Sequence, residues 1–228
     1  MKKLLIVMPA FNEEKVISGV LSSIPRKIGG IGKIQIVVIN DGSTDNTEDK
    51  VLKFRDVCLL NHFLNRGVGA SWQTGFEYAS QNGFDVVLTI DADGQHDPRE
   101  IPRLLRPILS GQADVVLGSR LKLRGMPLDR KILNLIANVY TYFLFGIYTS
   151  DSQTGFRAYS KKAFSKIDIL TSRMEAASEI LGILAKNGLK TKEVAVSSIY
   201  TTYSREKGQK NLDAINIAVK LFLRFLLS

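Results

Sequence analysis

Short runs of apolar residues recur along the chain and alternate with segments of mixed polarity. Five of these runs have the length of strands, at residues 4–8, 34–39, 57–60, 86–90 and 113–117. Amphipathic segments between them predict helices, one capped by Asn12 and running to about Ser23, one ending near Gln81 and one starting at Pro98. This alternation predicts an α/β fold with a mostly parallel central sheet and helices on both faces.

Acidic residues follow three of the predicted strands, and Glu13 comes after the first. Asn40-Asp41-Gly42 ends the second strand, and Asp91-Ala92-Asp93-Gly94-Gln95 ends the fourth. Because ligands bind at the carboxyl ends of strands in open α/β sheets, we expect these carboxylates at one binding edge. Oxygen donors of this kind suit Mg²⁺ or Mn²⁺. A turn without a ligand is the alternative, because Asp also hydrogen-bonds its own backbone in turns.

Composition narrows the classes of function. The 228 residues include 31 Lys or Arg and 22 Asp or Glu, a net charge of +9. Such an excess is typical of proteins that meet nucleic acid, a membrane surface or an anionic substrate. The sequence has no helix-turn-helix, zinc-finger or RNA-recognition motif, which disfavours nucleic acid, and neither G-x-G-x-x-G nor the P-loop pattern occurs. A single cysteine, Cys58, excludes a disulfide framework and favours a reducing compartment.

Four motifs together resemble family 2 glycosyltransferases of the GT-A fold. They are Met8-Pro9-Ala10-Phe11-Asn12-Glu13-Glu14, Val38-Ile39-Asn40-Asp41-Gly42-Ser43-Thr44-Asp45, Asn65-Arg66-Gly67 and Asp91-Ala92-Asp93-Gly94-Gln95. Residues 91–98, Gly118-Ser119-Arg120 and Asp151-Ser152-Gln153-Thr154-Gly155-Phe156-Arg157 are most similar to the polyprenyl-phosphate branch, which contains dolichyl-phosphate mannose and glucose synthases. The resemblance implies a GT-A domain over residues 1–210, built on a Rossmann-like sheet.

The resemblance implies roles on the donor side. The residues that would hold the nucleotide sugar are Pro9, Ala10, Glu13, Asp41, Asp91 and Ala92. Asp91 and Asp93, with Gln95, would bind Mg²⁺ or Mn²⁺ at the diphosphate, and Asp93 is a candidate catalytic residue. Arg205 and Lys210 would also contact the nucleotide sugar, because their segment is similar to the basic loop that closes over the diphosphate in the family.

The resemblance also assigns residues to the acceptor side. Arg120 and Arg130 would bind an acceptor phosphate, since a guanidinium matches a phosphate in bidentate geometry. Arg120 and Asp151 are candidate catalytic residues, and Asp151 matches a position assigned as a base or acceptor-orienting group in relatives. Glu179 is the second candidate base, with a structural salt bridge or helix cap as the alternative for both carboxylates.

Two amphipathic helices are predicted. In the first, over residues 130–148, apolar residues recur at helical spacing, which fits either a core-facing helix or a helix at the bilayer surface. The second, over residues 211–228, has a thin polar stripe that favours a membrane interface or a partner helix. The chain ends there, so we expect peripheral attachment to the cytoplasmic face of the membrane instead of a spanning anchor.

The resemblance implies an inverting transfer of a hexose from a GDP-mannose or UDP-glucose type donor to a polyprenyl or dolichyl phosphate. A phosphate monoester needs no general base, because its second pKa of about 6 leaves it mostly dianionic at neutral pH. The expected partners are the nucleotide sugar, the lipid phosphate and the membrane surface, without nucleic acid. A separate membrane-anchoring protein is a further partner that the sequence leaves open.

Three other functions remain as alternatives. A hydroxyl acceptor on a saccharide, lipid or protein would require Asp151 or Glu179 as a base. A sugar-1-phosphate nucleotidyltransferase would need a glycine-rich basic loop after the first strand, where this chain is acidic. A basic membrane-surface or nucleic-acid-binding protein would explain the charge but would leave Asp91 and Asp93 without a role.

Overall fold

The computed structural model of the chain describes residues 1–120 and 128–199. Its strands are β1 (Lys2–Ala10), β2 (Ile31–Asp41), β3 (Val57–His62), β4 (Val86–Thr89), β5 (Val115–Ser119), β6 (Arg157–Ser160) and β7 (Thr191–Ala195). Its helices are α1 (Ile17–Ser23), α2 (Thr47–Leu52), α3 (Val68–Gln81), α4 (Ile101–Leu109), α5 (Leu128–Phe145), α6 (Lys161–Phe164) and α7 (Ala176–Lys186). The five predicted strands are confirmed as β1 to β5.

The strands form one sheet in the order β3-β2-β1-β4-β6-β5-β7. β1 pairs in parallel with β2 and β4, while β2 pairs in parallel with β3 and β5 with β7. β6 lies antiparallel between β4 and β5. The prediction of a mostly parallel sheet is therefore confirmed. The hydrophobic pattern does not predict β6, because its four residues begin with an arginine and contain no apolar run.

Helices cover both faces of the sheet, as predicted. Side chains alternate along β1, so Leu4 and Ile6 join one apolar cluster and Leu5 and Val7 join the other. The first cluster also contains buried residues of α1 and α4, and the second contains buried residues of α3 and α7. The two clusters hold the strand ends, and with them the loops of the site, in fixed positions.

Helix α1 begins later than the sequence predicts. Asn12 has φ 54°, a left-handed conformation that asparagine adopts more readily than most residues, and α1 starts only at Ile17. The Asn12 side chain bonds the loop after β2, where its Oδ1 accepts a hydrogen bond from the Thr44 N–H at 2.8 Å. The prediction that Asn12 caps α1 is therefore wrong, and residues 11–16 belong to the binding edge.

Helix α5 matches the amphipathic helix predicted at residues 130–148, with bounds of Leu128–Phe145. The second predicted amphipathic helix, at residues 211–228, lies outside the described residues. Within the two described ranges, no helix has the length and apolar content needed to cross a membrane.

Candidate active site

Several segments of the chain meet at one edge of the sheet. β1, β2, β4 and β5 point in the same direction, so their carboxyl ends lie along that edge. β6 runs the opposite way, and its first residue, Arg157, pairs there with Thr89 and Leu117. The loops that follow the four strands and the segment before β6 therefore build the site.

The acidic motif after β4 lies at the centre of this edge. Gln95 holds Asp93 by two hydrogen bonds, from its backbone N–H to Asp93 Oδ1 at 2.9 Å and from its Nε2 to Oδ2 at 2.8 Å. Burial, followed by the negative charge of Asp93, raises the pKa of Asp91 to about 7. One third of the Asp91 side chain remains exposed, so a ligand can reach it.

The donor atoms of this motif fit a hard divalent cation. Asp91 and Asp93 have carboxylate oxygens, and Gln95 has an amide oxygen besides the Nε2 that donates to Asp93. A cation between the carboxylates would relieve the repulsion by Asp93, which adds to burial in raising the pKa of Asp91. In the described part of the chain, no three His, Cys, Asp or Glu side chains converge on one point. A metal bound here would complete its shell with phosphate and water oxygens, as Mg²⁺ commonly does.

His96 is a buried part of the site that the motifs do not single out. Its ring packs on Phe156 with centroids 5.0 Å apart, and its Nε2 lies 3.9 Å from Asp91 Oδ2. Burial lowers the pKa of His96 to about 3, so the ring is neutral at neutral pH. Its Nδ1 has no hydrogen-bond partner among the described residues. The ring therefore fills the space next to Asp91 without adding a charge.

Four residues predicted to hold the nucleotide lie on the β1 and β2 side of the edge, and Ala92 lies in the loop after β4. Pro9 and Ala10 end β1 and pair with the end of β2, and Glu13, Asp41 and Ala92 are buried. The structure thus brings these five predicted residues to one edge of the sheet.

The loops after β1 and β2 are bonded to each other. The Asn12 N–H donates to Ser43 Oγ at 3.0 Å, and Asn12 Oδ1 accepts from the Thr44 N–H. The Glu13 N–H donates to Thr47 Oγ1 at 2.8 Å. Hydrogen bonds between these polar residues therefore fix the shape of the β1 and β2 side of the edge.

Both carboxylate oxygens of Asp41 bond other parts of the protein. Oδ1 lies 2.6 Å from His62 Nδ1 and accepts from the Arg66 N–H at 3.0 Å, and Oδ2 accepts from the Gly67 N–H at 2.7 Å. Gly67 has φ 93°, and a Cβ at this position would lie 2.2 Å from the Ser172 carbonyl oxygen. Asp41 therefore supports the Asn65-Arg66-Gly67 turn from within.

Arg120 and Asp151 form a buried ion pair on the acceptor side. Arg120 Nε and Nη2 donate to the two Asp151 oxygens at 2.7 and 2.9 Å. The side chain of Asp151 is 0% exposed and that of Arg120 is 13% exposed. Burial alone would raise the pKa of Asp151, but the charge and hydrogen bonds of Arg120 hold it below its ordinary value. Asp151 is therefore ionised at neutral pH and is a weak proton acceptor.

Arg157 shapes the segment that carries Asp151. Its guanidinium is fully buried and donates to the carbonyl oxygens of Thr154, Ser152 and Ala177 at 2.8, 2.7 and 3.1 Å. A buried cation is costly unless it is hydrogen-bonded, and the three carbonyls supply those bonds. Because Arg157 opens β6, the segment is fixed directly to the sheet.

Glu179, the second candidate base, lies in the first turn of α7. Its carboxylate accepts from the Leu170 and Thr171 backbone N–H groups at 2.9 Å each, and from the Thr171 hydroxyl. These bonds hold a segment whose Ser172 carbonyl accepts from the Gly69 N–H at 2.8 Å, at the start of α3. The contacts of Glu179 are those of a structural residue.

Among its described side chains, helix α5 buries polar residues and exposes apolar ones, the reverse of an ordinary surface helix. Its polar residues Asn134, Asn138 and Thr141 are buried. Its exposed apolar residues are Leu135, Ile136, Val139, Tyr142 and Phe143. A helix that faces water normally buries its apolar side, so the core-facing interpretation of the predicted stripe is wrong at Leu135, Ile136, Val139 and Phe143. An exposed apolar patch of this kind marks a membrane or protein contact.

The contacts of three predicted residues lie outside the described part of the structure. Arg130 lies in the first turn of α5, but its side chain is outside the described part of the structure. Arg205 and Lys210 lie beyond residue 199, also outside the described ranges. Their contacts with acceptor and donor stay predictions.

Comparisons with known proteins identify the family of the chain. Residues 5–168 match Glycosyl transferase family 2. The UDP-N-acetylglucosamine--dolichyl-phosphate N-acetylglucosaminyltransferase of Methanococcus voltae is 34% identical, over 99% of this chain and 96% of the relative. The polyprenol monophosphomannose synthase of Mycolicibacterium smegmatis is 29% identical, over 97% and 85%.

Among solved structures, glucosyl-3-phosphoglycerate synthase from Mycobacterium tuberculosis, in complex with Mn²⁺, UDP and phosphoglyceric acid, aligns with a TM-score of 0.75. The identity is 20%, over 99% of this chain and 78% of that chain, and the likeness confirms the GT-A fold. Because the family match covers most of the chain and includes the motifs at its binding edge, the chain belongs to glycosyl transferase family 2.

Proposed function

We propose that this glycosyltransferase moves a hexose, with inversion, from a nucleotide sugar of the GDP-mannose or UDP-glucose type to a polyprenyl or dolichyl phosphate at a membrane surface. Two relatives are named for dolichyl-phosphate and polyprenol acceptors, which supports the lipid class. The observation that carries the proposal is helix α5. It combines an exposed apolar face with buried polar residues, one of which bonds Asp151 of the Arg120–Asp151 pair.

The donor would bind at the acidic edge. Asp91, Asp93 and Gln95 would hold Mg²⁺ or Mn²⁺, which stabilises the negative charge on a departing diphosphate. Solved relatives bind Mn²⁺ or Mg²⁺ together with UDP, which supports this assignment. The residues that would contact the nucleotide sugar are Pro9, Ala10, Glu13, Asp41, Asp91, Ala92, Arg205 and Lys210.

The acceptor phosphate would bind to Arg120 and Arg130. Arg120 acts within electrostatic reach of Asp91, so the two anionic substrates would meet between these residues. Holding two anions close together is the main electrostatic difficulty of the reaction, and positive charge on the acceptor side reduces it.

The chemical step is a displacement at the anomeric carbon. An acceptor phosphate oxygen forms a bond to that carbon from the face opposite the diphosphate, and the bond to the diphosphate oxygen breaks with its electron pair. The lipid phosphate needs no deprotonation, because its second pKa is about 6. A hydroxyl acceptor would need a base, yet Asp151 is ion-paired with a lowered pKa and Glu179 is bonded to backbone N–H groups. This supports the phosphate acceptor over the hydroxyl alternative.

We also propose peripheral attachment to the cytoplasmic face of the membrane. The exposed apolar face of α5 would lie in the interface, and the net charge of +9 would favour anionic headgroups. The amphipathic segment at residues 211–228 would add a second contact. A separate membrane-anchoring protein would be an additional partner.

The test is transfer of labelled sugar from a panel of UDP- and GDP-sugars to a short polyprenyl phosphate, with Mg²⁺ or Mn²⁺. Asp93→Asn should lower transfer by about 100-fold or more, because it removes charge from the metal site. Asp97→Asn is the matched control on the same loop. It makes the same charge change, while asparagine can keep the cap that Asp97 provides to the Arg99 N–H.

Metal-dependent product from one donor, lost in Asp93→Asn and kept in Asp97→Asn, is the expected result. Metal-dependent donor binding without lipid transfer would move the assignment to a hydroxyl acceptor. Absence of metal-dependent donor binding would overturn the donor site as well.

A further inference from the structure

Two asparagines on the inner face of α5 bond the segment that carries Asp151. Asn138 Nδ2 donates to the Ser150 carbonyl oxygen at 2.8 Å, and Asn138 Oδ1 accepts from the Ser152 N–H at 2.9 Å. Asn134, one turn earlier on α5, donates from its Nδ2 to Asp151 Oδ1 at 3.1 Å. Helix α5 is thereby joined to the backbone on both sides of Asp151 and to its carboxylate.

The same segment is fixed to the sheet from the other side. Glu193 on β7 accepts hydrogen bonds from the Ser150 N–H and hydroxyl at 2.6 Å each, and from the Thr149 hydroxyl at 2.8 Å. The segment is therefore bridged between β7 and α5. A displacement of α5 would act on Asp151 through the asparagines, and on Arg120 through the ion pair.

These asparagines lie where an apolar residue would ordinarily pack. Both are buried, and Asn134 Oδ1 has no hydrogen-bond partner among the described residues. A buried polar atom without a partner costs free energy, so packing alone does not account for Asn134. The hydrogen bonds to residues 150–152 explain why asparagines occupy both positions.

We propose that Asn138, with Asn134, is a positioning residue that sets Asp151, and through it Arg120, relative to the exposed apolar face of α5. The inference rests on the proposed function, because it concerns the acceptor of that site. Asn138 then determines how well the lipid phosphate is bound, while the donor is bound independently. Neither asparagine touches the reacting atoms in this role.

The first test separates acceptor from donor kinetics. Asn138→Leu removes both bonds with little change in volume, and kcat/KM for a short polyprenyl phosphate should fall by about 10-fold, mainly through a higher KM for the lipid. Asn134→Leu removes one bond and should give a smaller effect of the same kind. Affinity for UDP or GDP with Mn²⁺ should stay within about 2-fold of wild type in both variants.

Thr141→Val is the matched control. Thr141 is buried on the same face of α5, but its hydroxyl donates to the Ala137 carbonyl of the same helix at 2.7 Å. The variant removes a buried polar group of α5 without touching residues 150–152, so both KM values should remain those of wild type.

A second readout does not depend on the acceptor. The Arg120 Nε–H, assigned by its loss in Arg120→Lys, should exchange slowly with solvent in wild type and Thr141→Val, because it is bonded to Asp151. Exchange should be faster in Asn138→Leu and partly restored in Asn138→Gln. If wild type transfers no sugar to lipid but exchange follows this pattern, the proposed function fails and the positioning role stands.

The positioning role is overturned if Asn138→Leu leaves both the lipid KM and Arg120 exchange unchanged. It is equally overturned if that variant weakens donor and acceptor binding alike, since that is the result of a merely structural residue. Should Asn138→Leu fail to fold, Asn134→Leu gives the same comparison with one bond removed.

Discussion

Hydrogen bonds hold both the nucleotide side and the acceptor side of this site in shape, and the acceptor side adds a buried ion pair between Arg120 and Asp151. On the nucleotide side, hydrogen bonds donated by backbone N–H groups connect neighbouring loops, such as those from the Glu14 N–H to Asp45 and from the Asn12 N–H to Ser43. On the acceptor side, one buried ion pair, Arg120–Asp151, lies at the centre. Residues from distant parts of the chain converge on it.

This difference predicts how each side responds to a substitution. A loop held by several separate hydrogen bonds loses one of them and keeps the rest. A buried ion pair that loses one partner leaves an uncompensated charge, which costs more than the net worth of the pair. We therefore expect the acceptor side to be the more sensitive of the two, and the following changes test that expectation in order of size.

The largest effect is expected for Asp151→Ala. It leaves the Arg120 guanidinium, which is 13% exposed, without its carboxylate, and the free energy of unfolding should fall by about 3–5 kcal/mol. Urea unfolding measures this loss. The double variant Arg120→Ala/Asp151→Ala should be more stable than Asp151→Ala, since it also removes the buried guanidinium that has lost the Asp151 carboxylate. A double variant less stable than the single one would contradict a cost from that buried charge.

Acid unfolding gives a second measure of the same pair. The pKa of Asp151 is lowered in the folded state, so the native protein binds fewer protons than the unfolded chain over that range. The stabilisation is complete above the unfolded pKa of about 3.9 and is lost as the pH falls through the lowered folded pKa. The stability gap between wild type and Asp151→Asn should therefore narrow below about pH 4.

Gly155→Ala tests the point where the two sides touch. A Cβ at this position would lie 2.3 Å from Asp91 Oδ2, so the Asp91 carboxylate must move. We expect a stability loss of about 1–3 kcal/mol, and about 10-fold weaker Mn²⁺-dependent binding of UDP or GDP. Gly29→Ala is the control, because nothing lies within 4 Å of a Cβ there. Unchanged donor binding in Gly155→Ala would show that the position of Asp91 is not critical.

On the nucleotide side, Asp45→Ala should have a smaller effect. It removes the acceptor for the Glu14 and Thr47 N–H groups, and we expect the free energy of unfolding to fall by about 1–2 kcal/mol. Donor affinity, measured by calorimetry, should weaken while the KM for the lipid phosphate stays the same. Asp45→Asn keeps one acceptor oxygen and should lie between wild type and Asp45→Ala. A change in the acceptor KM would contradict the separation of the two sides.

The nucleotide side could largely be predicted from the sequence because its residues lie in contiguous motifs at strand ends. The turn after β2 and the acidic motif after β4 each combine an apolar run with Asp and Gly, so Asp41, Asp91 and Asp93 were assignable to one edge. The partners of these residues were less predictable. Asp41 bonds the backbone of residues 66 and 67, which no local pattern indicates.

The acceptor side was harder to predict because its contacts join residues far apart in sequence. Arg120 and Asp151 are each predictable as candidates, but nothing in the sequence pairs them. The asparagines of α5 interrupt an apolar stripe four residues apart, and that spacing was the available signal that one face of the helix is polar. Which face is buried depends on tertiary packing, and periodicity alone leaves both orientations open.

The smallest effect is the expected difference in stability between two variants of Asn12, on the nucleotide side. Its φ of 54° is left-handed, and both Asn12→Gly and Asn12→Ala lose the hydrogen bond from the Thr44 N–H to Oδ1. Only alanine adds the strain of a Cβ in this conformation, so Asn12→Ala should be less stable than Asn12→Gly by about 1 kcal/mol. The greater freedom of glycine in the unfolded chain reduces this difference and makes it a lower bound on the strain.

The two Asn12 variants also separate strain from function. Urea unfolding gives the stability difference, and donor affinity should be lowered to a similar extent in both, because both lack the same side-chain bond. Equal stability would mean that the loop leaves the left-handed conformation once the asparagine is gone. An altered KM for the lipid phosphate in either variant would mean that the loops after β1 and β2 also shape the acceptor side, and the contrast between the two sides would then fail.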